Sequence, residues 1–540
     1  MNKLRGRAAD AATSLRVLAS SGVIRPYGPG TLAGLVGVLR NWGTGPAGGF
    51  ISLALREPGR VGLIDELGEL TFGQLHQRSN ALARGLAGLG VREGDSVAVM
   101  CRNHRGFVDA TVAVAKLGAD ILYLNTAFAG PQLVDVLARE DPTVVIHDEE
   151  FTGLLAGAHV ERRVIGWSES GEGTTLESLI ASHDDRDVTP PSRHSRLVIL
   201  TSGTTGTPKG APRNEAGIDA AVALLSRMPL KYGWRTHIAA PLFHTWGFAH
   251  LALSMLLGST VVLRRKFEPE GALQVVESHG CQSMVVIPVM LQRILALDPE
   301  VLDRYTLSSL EVVAASGSAL PGELALTWMD RFGDNLYNIY GSTEVAYASI
   351  AMPSDLRAAP GAAGKPPHGT VVRIYDEAGR PVPDGQSGRI FVGNSLLFEG
   401  YTGGGGKEMI DGLMSSGDVG RFDEHGRLHI EGRDDEMIVS GGENVFPKEV
   451  EDCLVGHDAV LEAAAVGVDD PDFGKRLRAF VATSAQVTED ELKEHVKAKL
   501  ARYKVPREIV FVDELPRNAT GKILKRELTE WAGSQDVGTA

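Results

Sequence analysis

From about residue 50 onward, short β-branched apolar runs alternate with helical patterns, and that alternation dictates parallel sheets covered by helices. Residues 96–100 read as a strand, 106–117 as a helix and 120–124 as the next strand, which makes one βαβ unit. Further buried-strand candidates lie at 196–200, 237–240, 261–264, 283–287 and 310–315. Residues 181–195 are polar and contain proline, as expected of a connector between two α/β subdomains. After about residue 360 short strands at 371–375, 389–392, 420–422 and 427–430 are separated by Gly, Pro and Asp, which suggests a small antiparallel sheet or β-barrel. From about residue 436 a final alternation includes strands at 463–466 and 479–483 and a Lys-rich helix at 491–502. At 540 residues the chain is too long for a single core, and these changes of texture divide it.

Hydrophobic residues at 43% and charged residues at 23% fit a folded soluble protein and exclude disordered or fibrous classes. A net charge of −14 gives no overall drive toward nucleic acid. Residues 1–40 differ: six basic side chains against Asp10 make this end +5 and leave −19 for the remainder. Leu4, Ala8, Ala11, Leu15 and Leu18 recur there at helical spacing. Such a helix either touches a membrane surface weakly or docks on the main body, and its Ala-rich face favours docking. The first thirty residues are interrupted by charge and build no secretory apolar core. Cys101, Cys281 and Cys453 are widely spaced and match no zinc or disulfide framework, so a reducing, cytoplasmic setting is expected. Residues 245–263 lack charge but contain polar residues, and they read as a buried helix running into a buried strand.

The strand ending at Leu200 leads into Thr201-Ser202-Gly203-Thr204-Thr205-Gly206-Thr207-Pro208-Lys209-Gly210. Glycines let backbone amides curl around phosphate oxygens, hydroxyls donate to them, and Lys209 adds positive charge. Pro208 and Gly210 flank that lysine where a Walker A loop needs Gly and Ser or Thr, so it is not one. Further on come Ser316-Gly317-Ser318-Ala319-Leu320, Tyr340-Gly341-Ser342-Thr343-Glu344, Ser416-Gly417-Asp418, Gly432-Arg433-Asp434-Asp435, Ser440-Gly441-Gly442-Glu443-Asn444 and Pro516-Arg517-Asn518-Ala519-Thr520-Gly521-Lys522.

In this order, over residues 50–530, the strings resemble the signatures of the adenylate-forming superfamily, in its acyl-CoA synthetase branch. The resemblance implies a large body of two doubly wound α/β subdomains plus a small β-barrel, carrying a mobile α+β lid. It implies boundaries at a basic extension 1–45, an AMP-binding domain 46–434 and a lid 436–540 hinged at Asp435. By the family's roles, Thr201, Ser202, Gly203, Thr204, Thr205, Gly206 and Lys209 hold ATP phosphates. Gly317, Ser318 and Ala319 form the adenine turn, where the family more often has two glycines. Tyr340 stacks on adenine beside Gly341 and Ser342, Thr343 meets phosphate and Glu344 holds Mg²⁺. Asp418 takes the ribose hydroxyls, although Ser416 replaces the usual Thr and Leu413 the usual aromatic residue. Arg433 reaches ribose or phosphate, Ser440, Gly441 and Gly442 face the CoA channel, and Lys522 is the adenylation lysine.

The implied reaction joins a carboxylic acid to ATP as acyl-AMP, releases pyrophosphate, and passes the acyl group to CoA. His244 in Pro241-Leu242-Phe243-His244 stands where amino-acid-activating relatives carry Asp, so an ammonium substrate is disfavoured. By the resemblance His244 lines the acyl and pantetheine passage. Trp246, Phe248, Leu251, Met255, Val289, Met290, Ala314 and Ala315 are the expected walls of the acyl pocket, and they suit a medium- or long-chain fatty acid; a benzoate- or cinnamate-like ring also fits. Lys475, Arg476, Arg478, Lys497, Lys499 and Lys504 offer positive charge for the CoA phosphates. A free acyl carrier protein as acceptor, and a homodimer, stay open.

Overall fold

The computed structural model describes residues 2–128, 130–201, 209–213, 217–398, 400, 406–440, 443–470, 474–518 and 521–535. Three helices come first: α1 (Asn2–Ser20), α2 (Pro29–Trp42) and α3 (Pro46–Arg56). The C-terminal end of α1 is tied to the body, because Lys231 Nζ donates to the Ser20 carbonyl at 2.9 Å and the Tyr232 N–H to the Ser21 carbonyl at 2.7 Å. Docking therefore describes this end of the helix. Gly43 and Gly45 flank Thr44 between α2 and α3, and these two helices pack as a hairpin.

Two strands follow, β1 (Val61–Asp65) and β2 (Gly68–Thr71), and then helix α4 (Phe72–Gly88). The helix starts with a capping box: Gln74 N–H donates to Thr71 Oγ1 at 3.2 Å and Thr71 N–H to Gln74 Oε1 at 2.8 Å. The first large sheet contains β3 (Ser96–Met100), β4 (Asp120–Tyr123), β5 (Val144–His147), β6 (Arg163–Ile165), β7 (Leu197–Thr201) and β8 (Lys209–Arg213). Its order is β6-β5-β3-β4-β7-β8, parallel except for β8. Helices α5 (Arg105–Lys116), α6 (Gly130–Glu140) and α7 (Leu176–Ser182) belong to the same half, and α5 is buried along its whole length.

Helices α8 (Ile218–Leu225) and α9 (Thr245–Leu256) accompany the second large sheet. That sheet adds β9 (Arg235–Ile238), β10 (Thr260–Val262), β11 (Ser283–Val286), β12 (Val312–Ala315), β13 (Leu336–Tyr340) and β14 (Ser349–Ala351). Its order, β14-β13-β12-β11-β9-β10-β1-β2, recruits the first two strands of the chain, with Leu63 opposite Val261. The stretch 181–195 is consequently not the boundary between the two halves, since β7 and β8 return to the first sheet. Arg84 holds this stretch instead, donating to the carbonyls of Asp184, Arg186 and Asp187. Residues 245–263 do form a helix leading into a strand, and among the described residues no helix is long and apolar enough to cross a membrane.

Buried Asn103 locks the halves together: its Nδ2 donates to the carbonyls of Ile238 and Ala240, and its Oδ1 accepts from the Leu242 N–H. One continuous apolar core runs through both sheets. A third sheet comprises β15 (Val371–Tyr375), β16 (Gly388–Gly393), β17 (Met409–Ile410), β18 (Leu413–Phe422) and β19 (Leu428–Arg433), all antiparallel. Among the described residues its edge strands do not pair with one another, so the expected barrel is an open five-stranded sheet. The smaller C-terminal domain has β20 (Ile438–Ser440), β21 (Glu443–Val445), β22 (Val460–Asp470), β23 (Gly474–Thr483) and β24 (Glu508–Phe511), with its own apolar core.

Candidate active site

A cavity of about 2270 Å³ lies where the C-terminal ends of the second sheet meet the third sheet and the small domain. Its wall includes Gly317, Ser318, Ala319, Tyr340, Gly341, Ser342, Thr343, Glu344, Asp418, Arg433, Asp435, Lys522 and His244. Residues 180 or more positions apart in sequence thus face one space, and the topology explains how. Tyr340 ends β13, the Ser316-Gly317-Ser318 turn leaves the adjacent β12, and Ser316 Oγ bonds to the Ile339 carbonyl at 2.8 Å.

Asp418 is the electrostatic centre. It sits within β18 directly opposite Arg433 on β19, and the Arg433 Nη1 to Asp418 Oδ1 distance is 3.4 Å. Tyr340 donates its hydroxyl to the other carboxylate oxygen, and Ser416 Oγ accepts from the Asp418 N–H at 3.2 Å. Burial pushes the Asp418 carboxyl up, against the lowering pull of Tyr340, Arg433 and Lys522. Gly417 has φ +81°, and a Cβ there would come within 3.1 Å of the Arg433 guanidinium, so glycine leaves room for this pair. Arg433 also binds Asp435 at 3.0 Å, which couples this cation to the junction with the small domain.

Lys522 reaches this centre on a tight turn of the small domain. Its N–H donates to Asn518 Oδ1 at 3.0 Å, while the Asn518 N–H donates to the Lys522 carbonyl at 2.9 Å. Gly521 has φ +74°, and a Cβ on it would lie 2.6 Å from Val289 Cγ1 and 3.1 Å from Ile287 Cδ1. The turn is wedged against the wall of the cavity, and only glycine fits. Gln292 Nε2 donating to the Leu461 carbonyl at 2.9 Å holds the two bodies together nearby. Gly521→Val is expected to unseat the turn and lower pyrophosphate release at least about tenfold, with little change in melting temperature, because the loss is local to one loop.

The apolar end of the cavity is built by α9. Trp246 is fixed by its Nε1–H bond to the Val286 carbonyl at 3.0 Å, and Phe248 and Val289 complete the wall. Ala314 and Ala315, expected here, are fully buried in β12 and do not line the space; Ser316 takes that place. Leu251 and Met290 are likewise packed into the core, whereas Met255 does line the cavity. His244 precedes α9, and desolvation lowers its pKa to about 4, so it is neutral at physiological pH.

Several wall residues received no role from the sequence, Asn338, Thr245 and Lys407 among them. Asn338 Oδ1 and Thr245 Oγ1 are buried without a hydrogen-bond partner among the described residues, and both residues line the cavity, as does Lys407. Only the position of Asn338, two residues before Tyr340, could have signalled it. Ser202, Gly203, Thr204, Thr205 and Gly206, together with Gly441 and Gly442, lie outside the described residues. The backbones of Thr201 and Lys209 pair across β7 and β8, and that of Ser440 pairs with Glu443. Of the basic residues expected to meet CoA, Arg478 is buried and bonds Glu508 with Arg476, Lys504 pairs with Glu449 and Lys497 with Glu494. Cys101, His104 and Asp148 cluster within 4.8 Å of one another, but His104 is engaged by Asp148 at 2.8 Å and by the Gly106 N–H at 3.0 Å, which makes the group a structural pin.

Residues 52–402 match the family described as AMP-binding enzyme, and residues 449–522 match the AMP-binding enzyme C-terminal domain. The chain belongs to the AMP-binding enzyme family. Among curated relatives of this AMP-binding enzyme, a feruloyl-CoA synthase of Amycolatopsis sp is 34% identical over 85% of this chain and 93% of its own length. A 2-succinylbenzoate–CoA ligase of Geobacillus sp. (strain WCH70) is 32% identical over 90% of this chain and 97% of its own. The crystal structure of an anthranilate CoA ligase in complex with anthranoyl-AMP superposes with a TM-score of 0.80 at 27% identity, covering 90% of this chain and 98% of that one. These relatives place the AMP-binding enzyme among AMP-forming acyl-CoA synthetases, which use ATP to make an acyl-CoA. Fatty-acid metabolism, expected from the apolar wall alone, finds no counterpart among them, since the named acids are aromatic.

Proposed function

We propose that this enzyme activates an aromatic carboxylic acid of the benzoate or cinnamate class as its adenylate and transfers the acyl group to CoA. The observation that carries the reading is the meeting of Lys522, Asp418, Arg433 and Tyr340 with the Trp246, Phe248 and Val289 wall in one cavity. Asp418 accepts hydrogen bonds from the ribose diol, Arg433 steadies the ribose or α-phosphate side, and Tyr340 offers its ring to adenine. The unpartnered Asn338 oxygen is placed to accept from an exocyclic amine of the base. The acid's ring packs beside Trp246 and its carboxylate points toward Lys522.

A carboxylate oxygen attacks the α-phosphorus, the bond to the β-phosphate oxygen breaks, and pyrophosphate leaves with that electron pair. Lys522 bridges the carboxylate and the α-phosphate as charge develops between them. The CoA thiolate then attacks the acyl carbon, the acyl–oxygen bond breaks, and AMP departs. His244, neutral and at the passage, contributes shape and a ring nitrogen without adding charge. Glu344 fits Mg²⁺, an ion bound through one or two carboxylates together with substrate phosphates. Bound there, Mg²⁺ would neutralise negative charge on the triphosphate. Motion about Asp435 lets the small domain remove Lys522 and admit the pantetheine arm.

A second reading, a fatty acid, is favoured by one observation: the cavity continues between α3, α8 and α9 along Leu224, Ala252, Leu253, Leu256 and Gly49. An alkyl chain would gain about 0.8 kcal/mol per buried CH₂ there. Pyrophosphate release measured over ferulate, benzoate, anthranilate and fatty acids of increasing length, each with and without CoA, separates the readings. Turnover highest on an aromatic acid and dependent on CoA supports the first. A rate that climbs with alkyl length gives the second, and acyl-AMP that accumulates unchanged when CoA is added removes both.

A further inference from the structure

The basic N-terminal end contributes more than a docked helix. Among the described residues, six of the fourteen large apolar side chains that are exposed fall between residues 15 and 55: Leu15, Ile24, Leu32, Val36, Leu39 and Leu55. Three of them, Leu32, Val36 and Leu39, recur at i, i+4 and i+7 on α2 and so form one outward stripe, with Val36 67% exposed. Helix α2 carries a single charge, Arg40, next to the stripe. The family match begins at residue 52, so α1 and α2 precede the region that the family description covers.

The stripe also borders an opening. Leu39 lines the large cavity while being 57% exposed, and Ile218 at the start of α8 lines it while being 52% exposed. Side chains that face both solvent and cavity mark a mouth, and here the mouth has an aliphatic rim. Charge distinguishes what would cover it. Residues 1–40 are +5 on a protein whose remainder is −19, so a second copy would bring a like-charged end or a weakly specific acidic face. An anionic lipid surface offers both an apolar layer for the stripe and negative headgroups for Arg16 and Arg40, which are exposed.

We propose that α2, with Arg16 of α1, docks this enzyme on an anionic lipid bilayer and seats the mouth of the acid cavity on the membrane. The sequence placed any membrane contact on α1; the structure moves the apolar part of it to α2. Docking stands on this surface alone, so failure of the acid screen above would leave it untouched.

The experiment is flotation of the full chain with vesicles of phosphatidylcholine containing about one third phosphatidylglycerol, against phosphatidylcholine alone. Binding to the anionic vesicles, loss of that binding at high salt and weak binding to the neutral ones are expected. Leu32→Asp combined with Val36→Asp should reduce the bound fraction about tenfold with the melting temperature retained, because both side chains already face solvent. Arg16→Glu with Arg40→Glu should weaken binding to anionic vesicles and leave the neutral ones unaffected. An unmodified chain that stays unbound on the anionic vesicles overturns the proposal. So does a concentration-dependent dimer that the Leu32 and Val36 pair of changes abolishes, for then the stripe meets another copy of the chain.

Discussion

Replacing Lys522 by alanine is expected to lower acid-dependent pyrophosphate release by at least about 10²-fold, or about 2.7 kcal/mol of transition-state stabilisation. The side chain belongs to a turn whose seat is fixed by Gly521 against Val289, and its charge is felt at Asp418. A preorganised cation at that place acts where negative charge moves onto the α-phosphate, and water let in by its removal would screen instead of stabilise. The turn itself is held by backbone and Asn518 bonds that the alanine variant keeps, so its melting temperature should stay within about 1 °C of the parent. Synthetic acyl-AMP supplied with CoA should still be converted by the variant, because the thiol step does not need that lysine in place. Near-normal pyrophosphate release from the alanine variant would remove Lys522 from the reaction.

Asp418→Ala is expected to cost at least about 10²-fold in kcat/KM for ATP, since the carboxylate is a charged acceptor for two hydroxyls at once. It also leaves the Tyr340 hydroxyl with only its 3.2 Å bond to Ser416 Oγ and strands one side of the Arg433 guanidinium, and about 3 kcal/mol of stability should go with the broken group. Asp418→Asn separates the two effects: it keeps the shape and most hydrogen bonds, so it should recover much of the stability and little of the ATP preference. The pH dependence follows from the direction of the Asp418 shift. Burial raises its folded pKa, so the ionised acceptor is lost, as pH falls, sooner than for an ordinary aspartate, and KM for ATP should rise on that acid limb. For stability the sign is opposite: the contribution of this group is full below its unfolded pKa and declines as pH rises through the folded one. Titration of ATP affinity in the asparagine variant should lack the limb, and an unchanged limb would assign it to another group.

The chemistry was more legible than the architecture. Each motif that faces the cavity was visible as a string, because loops that bind phosphate or ribose need particular residue types at fixed offsets, as in Ser416-Gly417-Asp418. The membership of β1 and β2 in the second sheet was not, since a strand carries no mark of which of two parallel sheets it will join. Residues 181–195 misled for a related reason: polarity and proline signal an exposed stretch and say nothing about a change of sheet. Ala314 and Ala315 were misplaced because a strand buried on both faces has no alternation from which to read an inward side. Asn338 belongs to no motif and Thr245 follows His244 without a role of its own there, and their significance comes from the hydrogen bonds they lack among the described residues once folded. The outward stripe of α2 emerged only once the fold showed which of its apolar residues point to solvent.

The pairing of β1 with β10 sets an order of events during synthesis. Leu63 meets Val261, so the second residue of this ladder is made almost two hundred positions after the first. At about 5–20 residues per second, the first strand waits roughly ten to forty seconds on the ribosome for its partner. The two α/β halves accordingly cannot mature one after the other: the first sheet can assemble from its own strands, but the hairpin ahead of it stays an open edge until the second half arrives. A nascent chain stalled before residue 260 should therefore be cleaved by protease near β1 and β2 while the strands of the first sheet are already protected, and release of the full chain should close that window.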